Sequence, residues 1–421
     1  MKVQLPYGSE TLTLELPESM TVEILLPKRP RLSCLVAHEI VHALNNPISA
    51  LPLRSCINHK NKIALICEDI TRPTPLNIIL PYVLEELQKA GVPRSNVTIF
   101  VALGSHRPMT SAEILCKFGI DVCRDYEIRN SPNQPIYIGQ TSSGVPIYID
   151  RGVVDADIKI GIGSIFPHPA VGYTGGAKII YPGVAGVPTV AGLHLIAATL
   201  GHDVFGELNN PVRTEIEQWV QKIGLDFIVN VVLTTNNEIY KVVAGHFITA
   251  HRAGVKYCKE IYSATARNKA DVVIVSSAPA DLDFWQAGKA IIAAGKVVRD
   301  GGVIILATPC YEGEGPHKSF MELCGKKNLD ALLTTMLKNK NLDSEIVLPA
   351  SVAALLQFVR RKAHIIVVST GLTREAVEAA GLCYFNDINE AVARVFHQYR
   401  NRKNVVCAII PYGGHTYPMV V

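Results

Sequence analysis

Three stretches of this 421-residue chain place reactive side chains close together in sequence. Glu68-Asp69-Ile70-Thr71-Arg72-Pro73 supplies carboxylates and a guanidinium, the group that grips a carboxylate through two parallel hydrogen bonds. Gly104-Ser105-His106-Arg107-Pro108 supplies an imidazole, whose ordinary pKa lies near neutrality, as acid–base work requires. The third, SIFPHPAVGYTGGAKIIYPGVAG over 164–186, is glycine-rich and holds His168 and Lys178. Backbone of this kind can turn N–H groups toward an anion. It is not a phosphate-binding P-loop, because Ala177 precedes Lys178 and Ile179 follows it.

These stretches need elements to hold them, and each follows an apolar, β-branched run: 62–69, 97–104 and 158–163. Runs at 21–27 and 227–235 read as further strands of the same series. Helix candidates lie between them at 75–91, 110–119, 191–201 and 212–224. The second opens on Thr110-x-x-Glu113, a capping box, and several close on Gly. A second series of strand-like runs begins near residue 270, with helices at 284–300, 351–363 and 388–402. Alternation of this kind predicts parallel sheets with helices on both faces, hence an α/β protein of two domains, 1–265 and 266–421. The last strand, 404–411, could return to either domain. Ligands of open α/β sheets sit beyond the carboxyl ends of the strands, so the active site is expected in the interdomain cleft.

Taken together, Asp69-x-Thr71-Arg72-Pro73, Gly104-Ser105-His106-Arg107-Pro108-Met109-Thr110 and His168-Pro-x-x-Gly172-Tyr-x-Gly175-Gly176-x-Lys178 resemble the lactate racemase family of nickel-dependent 2-hydroxy acid racemases and epimerases. His194 and Gln286-x-x-Lys289 follow in the family's order. The resemblance implies a cofactor, a nickel-pincer nucleotide: a pyridinium mononucleotide whose thioamide and thiocarboxylate arms hold the metal. Lys178 matches the lysine joined covalently to it, and His194 matches the nickel ligand. A neutral imidazole suits that metal. His106 and His168 match the two proton-relaying histidines that flank a planar 2-keto acid while hydride leaves C2 and returns to the other face. Arg72, Gln286 and Lys289 match the carboxylate clamp. Asp69 and Thr71, with Gly175 and Gly176, are expected to orient the cofactor or Arg72. The resemblance also implies cofactor-synthesis enzymes as maturation partners.

One position departs from the pattern. Trp285 stands where lactate-specific members carry Tyr, so the pocket is expected to be reshaped, and the substrate is read as lactate or a related short-chain 2-hydroxy acid. Malate, phenyllactate and a sugar acid stay open. The loop Cys310–Lys318 follows a second-series strand and could help to select among them.

A second motif competes with this reading. His38-Glu39-Ile40-Val41-His42 is a literal HExxH, which on a long helix presents two histidines to zinc and a glutamate base. Asn45-Asn46-Pro47 ends the run within a few residues, because the position before proline disfavours helix. No third ligand follows at a recognised spacing, so a zinc metallopeptidase is the weaker reading, as is a carrier that holds the cofactor without turnover.

Composition excludes other classes. Net charge is +4, from 41 basic and 37 acidic residues, with no basic stripe for nucleic acid. No apolar run approaches the ~20 residues of a membrane span. The first residues, MKVQLPYGSE, read as polar strand and turn rather than a secretory signal. Ten cysteines without a CxxC pair suit free thiols in the cytoplasm.

Overall fold

The computed structural model describes residues 1–17, 20–32, 35–131, 134–200, 204–339 and 344–421. Its frame is two six-stranded sheets with helices packed against them. The first runs, in spatial order, Ile239–Gly245, Phe227–Leu233, Ile158–Ser164, Ile63–Glu68, Val97–Ala102 and Glu127–Arg129. All neighbours are parallel except the antiparallel pair Ile239–Gly245 and Phe227–Leu233. Ile63–Glu68 and Phe227–Leu233 are buried along their whole length, the burial expected of parallel strands covered on both faces.

The order of this first sheet fixes where a ligand can sit. From Ile63–Glu68 the chain proceeds outward in one direction through Val97–Ala102, then returns to place Ile158–Ser164 on the other side. The reversal falls between the strands that end in Glu68 and Ser164. A crevice opens at such a point because the flanking connections leave in opposite directions. The loops that leave these two strands carry Asp69–Arg72 and His168–Lys178.

The second sheet is wholly parallel: Cys383–Phe385, Ala363–Val368, Val298–Ala307, Ala270–Ser276, Val406–Ile410 and Thr21–Ile24. Two readings of the sequence are settled here. The strand within 404–411 pairs with Ala270–Ser276 and so stays in the second sheet rather than returning to the first. The strand within 21–27 does not belong to the first series. Thr21–Ile24 is the edge of the second sheet, beside Val406–Ile410. The cause is upstream: hairpin Lys2–Tyr7/Glu10–Glu15 buries Leu5, Leu14 and Leu16 with Val272, Ile274 and Ile305 of that sheet. Periodicity identifies such a strand but not the sheet it joins.

The helices agree with the sequence in place and in their caps. Ser111–Phe118 has its capping box, with Thr110 accepting from the Glu113 amide and the Glu113 side chain accepting from the Thr110 amide. Gly119 and Gly224 end their helices at φ 83° and 89°, where a side chain would be strained. Val187–Leu200, apolar around its circumference, packs against Ser344–Arg360 of the second half and so joins the two halves. No helix among the described residues is long and apolar enough to cross a membrane.

Candidate active site

At the reversal point the two halves enclose a cavity with about 1030 Å³ of atom-free space, part of it open to solvent. Asp69, Arg72, His106, His168, Gly175, Lys178 and His194 line it from the first half, and Trp285, Gln286 and Lys289 from the second. Thr71 and Gly176 stand behind this wall.

The Asp69–Arg72 turn is a closed hydrogen-bonded unit. Thr71 Oγ1 donates to Asp69 Oδ1 at 2.7 Å, and Arg72 Nη1 donates to Thr71 Oγ1 at 3.0 Å and to the Thr71 carbonyl at 3.1 Å. The buried Lys117 ammonium holds the Arg72 carbonyl from below. Its pKa is lowered to about 8 by burial, against the pull of Glu68 and Asp69. Thr71 thus orients Arg72 and Asp69 instead of facing the cavity.

His106 and His168 are held in different ways. His106 Nδ1 donates to Asp69 Oδ2 at 2.7 Å, which leaves Nε2 as an acceptor. Burial lowers the His106 pKa while the Asp69 carboxylate raises it, and burial with Arg72 and Lys289 prevails. Burial pushes the Asp69 carboxyl up, yet His106, Arg72 and Thr71 together hold it well below the usual carboxylate range. The pair is therefore carboxylate and neutral imidazole. At His168, Nδ1 accepts the Ala170 amide at 3.2 Å, so any proton on that ring sits on Nε2. Burial, with Lys178 and Lys289 nearby, drives its pKa well below the ordinary value.

Lys178 and His194 form the second pair. The Lys178 amine is lowered to about 7, first by burial and then by Arg72, so much of it is uncharged and nucleophilic at neutral pH. His194 Nδ1 donates to the Val190 carbonyl at 2.8 Å, one turn back in its own helix. That bond fixes the tautomer with a bare Nε2, as a metal-binding imidazole requires. Burial lowers its pKa to about 4. A lysine able to form a covalent link and a histidine able to bind a soft divalent metal thus fit a tethered metal cofactor.

The second half contributes the start of helix Phe284–Val297. Asp283 caps it by accepting from the Gln286 amide at 2.7 Å. Gln286 and Lys289, one turn apart, are hydrogen-bonded to each other. Burial, with Arg72 and Lys178 nearby, depresses the Lys289 pKa far below that of an ordinary lysine. Trp285 packs on His317 and Phe320, with ring centroids 4.4 Å and 4.9 Å away.

Sequence reasoning missed the groups beneath the glycine-rich loop. Asn230, in the apolar run FIVNVVL, accepts the Gly176 amide at 2.8 Å and donates to the Gly163 carbonyl at 3.3 Å. Arg213 is fully buried and donates to the carbonyls of Tyr173 and Gly175. His251 Nε2 donates to the Thr174 carbonyl at 2.9 Å. Gly175 and Gly176, at φ 77° and 58°, fit against this layer: an added Cβ would meet Asn230 Oδ1 at 2.8 Å or His251 Cγ at 2.9 Å. On the opposite flank the buried Glu68 carboxylate accepts the Ser164 amide at 2.8 Å, with Ser164 Oγ and Thr74 Oγ1 bonded to the same oxygen. A lone Asn or Glu in an otherwise apolar strand was the available signal.

The HExxH segment is elsewhere. His38 and His42 are exposed on helix Val36–Asn45, and Glu39 is taken by Lys241 at 2.9 Å. No cluster of three or more metal-ligating side chains occurs among the described residues.

Fold and site define a two-domain α/β enzyme with a cleft between its halves lined by histidines, Arg72 and two lysines. Residues 7–203 match the lactate racemase N-terminal domain, and 265–415 the lactate racemase C-terminal domain. The lactate racemase of Thermoanaerobacterium thermosaccharolyticum is 34% identical over 74% of this chain and 75% of its own length. That of Lactiplantibacillus plantarum is 29% identical over 79% of this chain and 81% of its own. The apoprotein structure of the Thermoanaerobacterium thermosaccharolyticum enzyme superposes with a TM-score of 0.87 over 99% of this chain and 100% of that one, at 29% identity. A Thermotoga maritima protein shares the fold at 20% identity and a TM-score of 0.67. The chain belongs to the lactate racemase family and is an isomerase.

Proposed function

We propose that the protein racemises lactate or a related short-chain 2-hydroxy acid in the cytoplasm, by moving the C2 hydrogen as hydride through a bound 2-keto acid. The observation that carries this reading is the convergence of His106 and His168 with Arg72 and Lys289 on one cavity that Lys178 and His194 also line. Arg72 and Lys289 receive the substrate carboxylate, with Gln286 holding the lysine. His106 takes the hydroxyl proton at Nε2, and Asp69 compensates the charge that then develops on the ring. His168 serves the opposite face, where its neutral ring donates Nε2–H to the keto oxygen as a hydrogen bond, and the proton held on His106 is the one returned to oxygen as the hydride returns to carbon.

Lys178 and His194 would hold the nickel-pincer nucleotide, Lys178 through a covalent bond and His194 through Nε2. When bound, that group supplies a two-electron acceptor for the C2 hydrogen. Enzymes that build and install it are the maturation partners this reading requires.

Trp285 and its ring contacts with His317 and Phe320 support a pocket wall for the substrate's third substituent. The test uses protein made together with cofactor-building enzymes, its loading confirmed by intact mass. Optical rotation of L-lactate falls to zero if the proposal holds. Loaded protein that leaves lactate and a panel of 2-hydroxy acids unchanged would refute it.

A further inference from the structure

The loop after strand Val298–Ala307 carries Glu312 and His317. Both residues reach across the cleft to the neighbours of His106. Arg107 Nε donates to Glu312 Oε2 at 2.8 Å, and Nη2 donates to Glu312 Oε1. His317 Nε2 donates to the Ser105 carbonyl at 3.2 Å. The residues on either side of His106 are therefore both tied to the second half of the molecule.

Each end of this connection is anchored in its own half. Arg107 also donates to Glu113 from Nη1 and Nη2, at 2.9 Å and 2.8 Å, and Glu113 is itself fixed by the cap of helix Ser111–Phe118. The Glu312 amide donates to the Leu282 carbonyl at 2.7 Å, and the Phe284 amide to the Gly313 carbonyl at 2.9 Å. Those bonds join the loop to the start of the helix that presents Trp285, Gln286 and Lys289. A planar guanidinium can present paired N–H groups to two carboxylates at once, a geometry that a single ammonium cannot reproduce.

We infer that Arg107 and Glu312 form an interdomain latch that fixes His106 at its working distance from the Lys289 clamp. The inference rests on the proposed racemase centre, and both are positioning residues. A half-exposed ion pair contributes little to stability, but displacement of a base by about 1 Å costs up to ~10²-fold in rate.

The experiment compares loaded wild-type enzyme with Glu312→Gln, Arg107→Gln and the double variant, each with a melting curve. Glu312→Gln and Arg107→Gln each lower kcat about tenfold with KM little changed, and the double variant is no slower than either single one. Wild-type kcat falls as salt rises from roughly 0.05 to 0.5 M, and the variants are insensitive. X-ray scattering of substrate-free protein gives a larger radius of gyration for Glu312→Gln than for wild type. If Arg107→Gln fails to fold because Glu113 loses its partner, Glu312→Gln alone carries the test. Full kcat in Glu312→Gln, strictly multiplicative losses in the double variant, or identical radii would overturn the latch. Loaded wild type that racemises nothing would instead remove the racemase reading, and the scattering comparison would still decide the latch.

Discussion

His194 Nδ1 donates to the Val190 carbonyl at 2.8 Å, although that carbonyl already sits in the ladder of helix Val187–Leu200. A backbone acceptor shared in this way holds the ring at one rotation and one tautomer, with Nε2 free. His194→Ala should abolish nickel retention while leaving the covalent mass increase at Lys178 in place. Metal analysis and intact mass on one sample separate the two. Loss of both, or of neither, would contradict the division of labour between these residues.

Lys178 should behave as an unusually acidic lysine in cofactor-free protein. Its amine is lowered to about 7, so labelling by an amine-reactive probe rises with pH through about 7 and then levels off. An ordinary lysine would keep gaining reactivity toward pH 10. Peptide mapping after labelling across pH 5–10 (roughly, to bracket both cases) reads the midpoint.

The same burial destabilises the fold. The folded pKa of Lys178 lies below its unfolded value, so the penalty is full below about pH 7 and fades as pH rises toward the ordinary lysine range. Lys178→Met should stabilise cofactor-free protein by about 1–2 kcal/mol at pH 6–7, a margin that narrows at pH 9–10. Thermal melts at the two pH values measure it, and a variant less stable than wild type at pH 6–7 would show that the amine has a compensating partner.

Asp69→Asn should reduce turnover by ~10²-fold or more, because it removes the group that fixes the His106 tautomer and offsets its charge. With the carboxylate gone, the His106 pKa falls further, so the acid limb of the rate profile moves to lower pH. An unchanged limb would mean that a group other than His106 titrates there.

Arg213→Met should uncouple the glycine-rich loop from its support. The carbonyls of Tyr173 and Gly175 lose their donor in a buried place, at a cost of about 2–4 kcal/mol. Attachment of cofactor at Lys178 should slow in parallel. Arg213→Lys should not restore it, since one ammonium cannot reproduce the fork.

The strands and helices were legible because parallel α/β units repeat a simple alternation, and Thr110-x-x-Glu113 gave a helix start to the residue. Sheet membership was less so. Thr21–Ile24 reads like any buried strand, and its partner, Val406–Ile410, lies at the other end of the chain. At the site, Asp69, Arg72, His106, His168, Lys178 and His194 were legible only together, through the resemblance of their motifs to the lactate racemase family, since a single histidine in a loop or an apolar helix reads as an ordinary structural residue. Asn230, Arg213 and His251 were not legible, because their work is done through backbone groups of a distant loop. Gly176, expected at the cofactor, also packs closely on His251, where an added Cβ would meet the ring at 2.9 Å. The reach of Glu312 to Arg107 depends on how the two halves face each other, which no local pattern encodes.

A C2 hydrogen that leaves and returns as hydride never enters solvent. Loaded enzyme given L-lactate deuterated at C2 in ordinary water tests it directly, with D-lactate isolated and its C2 label measured by mass spectrometry. D-lactate that retains deuterium is the expected product of hydride transfer. D-lactate carrying solvent hydrogen at C2 would mean that a base removes a proton from carbon, and His106 and His168 would then have the wrong task.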